Sequence, residues 1–209
     1  IAQVEALEQS GVDVIRAFIG EPDFPTPEPI VAEAVRALQT QKLGYTASTG
    51  VSALKQAIAD RYQRWHGLSI NPARIIVTPG GSAALHVAFL ATLNPGDEVL
   101  LPEPGYPCNA NILHMVNATG VAVPMDPNQD MQLSLSALSA ALSPRTKALL
   151  IASPSNPLGT VMSPEQWQTL VDFCRTHELQ LLADEIYHGL TFSDLACSAL
   201  EVEADAWII

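Results

Sequence analysis

The sequence predicts an α/β domain with a largely parallel sheet, and two observations carry that expectation. Apolar runs of strand length, such as "KALLIA" and "LQLLAD", alternate with amphipathic stretches of helix length across residues 74–184. Such strand–helix alternation is the pattern of parallel sheets. Hydrophobic residues make up 48% of the 209 and charged residues 15%, a balance that supports a sizeable core and argues against disorder.

In chain order, "VDVIRAFI" (12–19) reads as a strand or extended arm, and the proline-rich "EPDFPTPEP" (21–29) as a loop lying over the domain. "PEPIVAEAVRAL" (27–38) has helical periodicity and opens on prolines, which suit a first turn. "VSALKQAIADRYQRWHG" (51–67) is an amphipathic helix in which Leu54, Ile58 and Tyr62 recur at helical spacing and Gly67 ends it. Strands are then expected at 74–78, 97–102, 121–125, 146–152 and 179–184. Helices are expected at 81–93, 106–118, 133–142 and 164–177. "DAWII" at 205–209 reads as the start of a further strand, and Ile1 as the middle of a helix, so both ends of the chain read as cut.

The formal net charge of −12 leaves no basic patch to neutralise phosphates, which argues against nucleic acid as a partner. No apolar run approaches the roughly 20 residues of a membrane span. Cys108, Cys174 and Cys197 are odd in number and widely spaced, which fits neither a disulfide framework nor a zinc site and points to the cytoplasm. No basic n-region followed by an apolar stretch is read at the start, so no signal peptide is expected.

In sheets of this kind ligands bind beyond the carboxyl ends of the strands, so the chemistry is sought in "PGGSAA", "PEPGYP", "SPSNPLG" and "DEIYHG", four loops expected to converge on one rim. The Gly80–Gly81–Ser82 run at a helix start reads equally as a phosphate cradle or as a helix capped by Ser82. It lacks the Lys-Ser/Thr pair of a Walker loop and the third glycine of the dinucleotide fingerprint. Asp184 ends an apolar strand, where a carboxylate needs a cation or donors. It reads as a cap, as a metal ligand together with Glu185, or as the counter-ion of a protonated ring nitrogen. Tyr106 reads as a core residue or as a ring stacked on a flat ligand. The Tyr187 hydroxyl is expected to reach the same ligand as Asp184. Asn156 lies between two prolines that restrict its backbone, and reads as an Asx turn or as an amide held out for a ligand. The five histidines do not cluster: His86 and His114 read as packing residues, and His188 as a support beside Tyr187. No Gly-x-Ser-x-Gly elbow marks a hydrolase.

Taken together, "GEPDFPTP" (20–27), "GYTASTGVSALKQAIADRY" (44–62), "TPGGSAAL" (78–85), "PGDEVLLPEPGYP" (95–107), "SPSNPLG" (153–159) and "DEIY" (184–187) resemble, in order and spacing, the class I/II aminotransferases of fold-type I. The resemblance implies the large domain of a pyridoxal 5'-phosphate (PLP) transferase, a mostly parallel sheet sandwiched by helices, incomplete at the C-terminus. Residues 1–40 would be an N-terminal arm and the start of the small domain, and 41–209 the PLP-binding large domain. By the same similarity Gly81 and Ser82 hold the phosphate, and Tyr106 stacks on the ring. Asn156 and Tyr187 bond the ring hydroxyl, and Asp184 keeps the ring nitrogen protonated. Tyr45 would reach the phosphate of a neighbouring subunit, which implies a homodimer with shared sites, and Gly20 would line the substrate carboxylate. The substrates implied are an amino acid and a 2-oxo acid.

The resemblance also implies a Schiff-base lysine, which none of Lys42, Lys55 and Lys147 matches. The family pattern is Ser-x-Ser-Lys, and the expectation is a fragment, inactive alone, that stops short of it. Two alternatives keep the loops and change the activity: a PLP-dependent lyase or synthase of the same fold, or a lysine-less module for PLP binding or dimerisation.

Overall fold

The computed structural model describes residues 1–17, 20, 22–128, 131–192 and 195–209. The chain divides into two compact units, Ile1–Tyr45 and Thr46–Ile209.

The first unit holds helices α1 (Ala2–Gln9) and α2 (Glu28–Thr40), neither of which buries a residue. Pro29 occupies the first turn of α2, where its missing N–H costs nothing. Of the strand or extended arm expected at 12–19, no strand forms over 12–17, and Phe18 and Ile19 lie outside the described residues. A strand exists only through pairing, and here the segment bonds back onto α1. Val12 N–H donates to Leu7 O at 3.1 Å, and Arg16 grips Glu8 with bonds of 2.8 and 2.5 Å. In the loop expected at 21–29, Glu21 lies outside the described residues; 22–27 are irregular and α2 begins at Glu28.

The second unit opens with α3 (Ser52–His66), which Gly67 ends in the left-handed region at φ 68°. The strand expected at 74–78 is absent: Pro72–Arg74 form a short 3-10 turn and 75–78 run extended without a ladder. The β-branched composition of "RIIVT" favours extension, but its backbone bonds are local apart from Val77 N–H, which donates to Thr49 O at 3.0 Å, and Ile76 stays exposed. Thereafter come α4 (Gly81–Thr92), β1 (Glu98–Glu103), α5 (Cys108–Met115), β2 (Thr119–Pro124), α6 (Leu135–Ala141), β3 (Thr146–Ala152), α7 (Pro164–Thr176), β4 (Gln180–Asp184), a 3-10 turn Ala199–Glu201, and β5 (Trp207–Ile208). Helix α5 stops short of the expected 118 because Asn117 turns left-handed at φ 58°, and Ala118 N–H bonds back to Leu113 O at 3.0 Å. Helix α7 starts where the sequence writes a start: Ser163 and Gln166 form a reciprocal capping box.

The five strands pair in the order β2-β1-β3-β4-β5, all parallel. Because side chains alternate along a strand, each strand feeds two cores. Leu100, Leu149, Ile151 and Leu181 pack on one face with Leu138 of α6 and Trp167, Leu170 and Val171 of α7. Val99, Ala148, Leu150 and Leu182 pack on the other with Leu85 and Phe89 of α4 and Ile112 and Leu113 of α5. Trp167, Phe89, Leu100 and Leu149 are fully buried, and each such side chain contributes about 2 kcal/mol through area removed from water. Helices thus cover both faces, and the free chemistry lies at the strand ends.

Candidate active site

The connection leaving β1 leads to β2 on one side, and the chain then returns through α6 to β3 on the other. This is the switch point at which doubly wound sheets open a crevice. The two strands separate there. β1 stays paired with β2 as far as Glu103 and Pro124, while its register with β3 ends at Leu100 and Leu149. A cavity of about 570 Å³ opens at this place, lined among others by Tyr106, Asn109, Met125, Asn156 and Met162.

Beyond β3 the chain makes a tight loop closed on itself, with cis peptides at Ser153–Pro154 and Asn156–Pro157. The fully buried Ser153 accepts the Met162 N–H at its Oγ (3.0 Å). Ser155 N–H donates to Thr160 O at 2.9 Å, and Gly159 N–H to Ser155 O at 2.8 Å. With the loop base fixed by these hydrogen bonds, the Asn156 amide makes a tertiary contact: its Nδ2 donates to the Tyr187 hydroxyl oxygen at 3.4 Å. Asn156 and Tyr187 also line a second cavity of about 610 Å³ with Leu190 and Phe192.

Asp184 closes β4 and accepts one backbone donor, the N–H of Ile186, at 3.2 Å. Burial pushes its carboxyl above the ordinary range, and that single N–H pulls the other way without offsetting it. Tyr106, at the end of the β1 loop, is 39% exposed. Its phenol is pushed up first by Cys108, then by burial and by the fields of Tyr187 and Asp184. The loops after β1, β3 and β4 therefore meet, as expected. Helix α4 points its start at the same place: a Cβ on Gly81 would stand 3.6 Å from Ile186 Cδ1. Gly80 precedes it at φ 93°, and no side chain caps this N-terminus, so Ser82, exposed in the first turn, is not the cap. Uncapped N–H groups and the helix dipole favour an anion there.

Gly20 and Tyr45 belong to the first unit, where both are exposed. The metal reading of Asp184 with Glu185 does not survive the geometry. Glu185 turns away into the protein, accepting Ser198 Oγ–H at 2.9 Å and Ala199 N–H at 2.8 Å. Among the described residues no group of three His, Cys, Asp or Glu side chains could hold a metal ion. Sequence reasoning missed this buried role of Glu185. The available signal was the Ser-x-x-Glu box at Ser198–Glu201, whose cap turns its first N–H groups toward an acceptor.

The model of the aminotransferase class I and II family matches residues 12–209. The chain belongs to that family. It is 38% identical over 201 residues to an aspartate aminotransferase of Thermotoga maritima, covering 96% of this chain and 53% of the relative. It is 37% identical over 180 residues to a valine–pyruvate aminotransferase of Mycobacterium tuberculosis, covering 86% and 46%. The solved structure of an alanine aminotransferase from Pyrococcus furiosus superposes with a TM-score of 0.91 at 28% identity, over 99% of this chain and 53% of that one. The parallel sheet with helices on both faces is thus the fold of the fold-type I aminotransferases. The chain spans about half the length of the relatives it matches. Among the described residues no helix is long and apolar enough to cross a membrane.

Proposed function

We propose that the full-length protein is a PLP-dependent aminotransferase of amino acid metabolism, moving an amino group between an amino acid and a 2-oxo acid, and that this chain holds its cofactor. The observation that carries the reading is the Asn156–Tyr187 pair, 3.4 Å apart, on the rim that Asp184 also occupies.

The donor set fits PLP. Asp184 is a half-buried carboxylate with one N–H partner, and a protonated ring nitrogen is the cation that its burial calls for. An amide and a phenol side by side can both donate to a ring hydroxyl oxygen. Tyr106 offers a half-exposed ring for stacking, and the N-terminus of α4 at Gly81 and Ser82 suits a phosphate. When bound, PLP supplies an electron sink for the substrate α-carbon. Asp184 keeps the proton on the ring nitrogen, Asn156 and Tyr187 orient the ring through its hydroxyl, and the Gly81 and Ser82 amides with the Ser82 hydroxyl anchor the phosphate.

In this reading residues 1–40 are the N-terminal arm and the start of the small domain, and 41–209 the PLP-binding large domain. Gly20 lines the substrate carboxylate, and Tyr45 reaches the phosphate of the partner subunit in a cytoplasmic homodimer.

The test is an assay of the full-length gene product with PLP, a panel of amino acids and a 2-oxo acid acceptor. Formation of the new 2-oxo acid beyond one equivalent per site only when the acceptor is present supports the proposal. Repeated turnover to a 2-oxo acid without any acceptor would assign lyase chemistry, and PLP binding without either reaction would leave a binding module.

A further inference from the structure

Directly behind Asp184 lies a buried polar cluster that none of the roles above uses. Glu185 is 6% exposed. Its Oε1 accepts Ser198 Oγ–H at 2.9 Å and Ala199 N–H at 2.8 Å, and its Oε2 accepts the Tyr62 hydroxyl of α3 at 3.5 Å. His188 Nδ1 stands 3.5 Å from Oε2. One carboxyl therefore ties together helix α3, the turn at Ala199–Glu201 and the loop after β4. The backbone of that loop is held on both sides of it. Glu185 N–H donates to Ile209 O at 3.0 Å, and Arg61 Nη2 donates to His188 O at 3.3 Å.

A buried carboxyl is an expensive way to hold a loop. Burial pushes the Glu185 carboxyl up to about 7 against the pull of its bonds from Ala199, Ser198 and Tyr62, with the Glu201 charge adding to the rise. Apolar residues of similar volume often stabilise a core at least as well as a buried polar group. What the carboxyl adds is direction. It takes donors from two separate elements, and it sits between Asp184 and Tyr187 in the chain.

We propose that Glu185 is a positioning residue, whose buried carboxyl fixes the backbone of residues 184–187 and so aims the Asp184 carboxylate and the Tyr187 hydroxyl at the cofactor ring. This rests on the reading that those two residues hold PLP.

The experiment titrates PLP into cofactor-stripped full-length protein, following the affinity and the absorbance of the bound ring against pH, with thermal melting alongside. Glu185→Ala is expected to weaken PLP binding by about tenfold, since site residues must be held closely to act, and to displace the pH at which the bound ring changes its absorbance. Glu185→Gln, which keeps an acceptor oxygen for Ala199, is expected to stay within about threefold of the parent. Ser198→Ala perturbs the same clamp more gently and keeps the test open if Glu185→Ala fails to fold. It is expected to shift affinity and spectrum in the same direction, and the two losses are expected not to add in the double variant. A lowered melting point with unchanged PLP affinity and an unchanged spectral titration would make Glu185 merely structural and overturn the proposal. Asp184→Asn and Tyr187→Phe separate the two levels. If they weaken binding while Glu185→Ala and Ser198→Ala do not, the positioning proposal fails alone. If they too leave binding unchanged, the cofactor reading fails and takes the proposal with it.

Discussion

Asn156 and Tyr187, 31 residues apart in sequence, meet across the rim of the sheet through a hydrogen bond of 3.4 Å. A bond of that length is at the weak end of the range, so the pair adds little to the fold and leaves both groups able to turn to a shared acceptor. Replacing Asn156 by Ala or Tyr187 by Phe in the full-length protein is expected to weaken PLP binding by roughly fivefold to tenfold, the range of one hydrogen bond to a ligand atom. Because both donors would serve one oxygen, the double variant is expected to lose less than the product of the single losses. A double-mutant cycle on PLP affinity checks this, and strictly multiplicative losses would mean that the two side chains do not share an acceptor.

Asp184 gives a prediction of opposite sign for activity and stability. Burial raises its folded-state pKa. For a group raised in the folded state, the stability it contributes is present at low pH and lost as pH rises through the folded value. Above that folded-state value the ionised carboxylate therefore burdens the cofactor-free fold. Asp184→Asn is expected to leave the melting temperature of the cofactor-free protein unchanged or raised, while lowering transaminase turnover about a hundredfold or more by removing the charge that holds the ring proton. Calorimetry and a coupled assay on the same preparation decide it. Near-normal turnover would remove Asp184 from its role, and a collapse in melting temperature would make it a structural residue.

The buried pair behind it makes a pH prediction with two opposing slopes. Burial pushes Glu185 from 4.5 up to about 7, so between those values the native state keeps a proton that the unfolded chain has lost, and stability falls as pH rises. Burial, and next the neighbouring His66, push His188 from 6.5 down to about 4. Over that window the unfolded chain holds the extra proton, and stability rises with pH. In the parent protein the two nearly cancel between pH 4.5 and 6.5. His188→Gln is expected to unmask the Glu185 slope, a loss that approaches about 3 kcal/mol across the whole window, and Glu185→Gln to unmask the opposite slope. Urea unfolding at several pH values between 4.5 and 7.5 reads the differences from the parent. Parallel curves for all three proteins would rule the titration out.

Much of this was legible in the sequence, for physical reasons that differ by element. Strand β3 falls at the expected 146–152 because an apolar run bounded by Pro144 and the Ser153–Pro154 pair has little freedom to shift. Helix α7 begins where Ser163 and Gln166 write a capping box. The segment at 74–78 misled because composition reports a preference for extension, while a strand requires a partner that composition does not name. The same division holds at the site. That the loops bearing Tyr106, Asn156, Asp184 and Tyr187 meet could be read from their places at the carboxyl ends of the strands. The buried role of Glu185 was harder to read: the Ser198–Glu201 box marks N–H groups in need of an acceptor but does not name it, and the partners Tyr62 and Ser198 lie 123 residues before Glu185 and 13 after.

Gly189 tests whether helix α3 supports the site loop by direct contact. Its φ of 88° lies in the left-handed region, and a Cβ there would stand 2.7 Å from Trp65 Cη2. The Arg61 guanidinium lies 4.0 Å above the Trp65 ring, so a shift of this partly exposed ring would disturb that contact as well. Gly189→Ala combines a strained backbone with a steric conflict, and is expected to destabilise the protein by about 2 kcal/mol. The two contributions can be separated. In a Trp65→Ala background the conflict disappears and the backbone strain remains, so the same substitution is expected to cost about 1 kcal/mol there. Chemical denaturation of the four proteins measures both costs. If the cost is equal in the two backgrounds, the close approach of Trp65 to the loop is not what constrains it, and α3 holds the loop through Arg61 and Tyr62 alone.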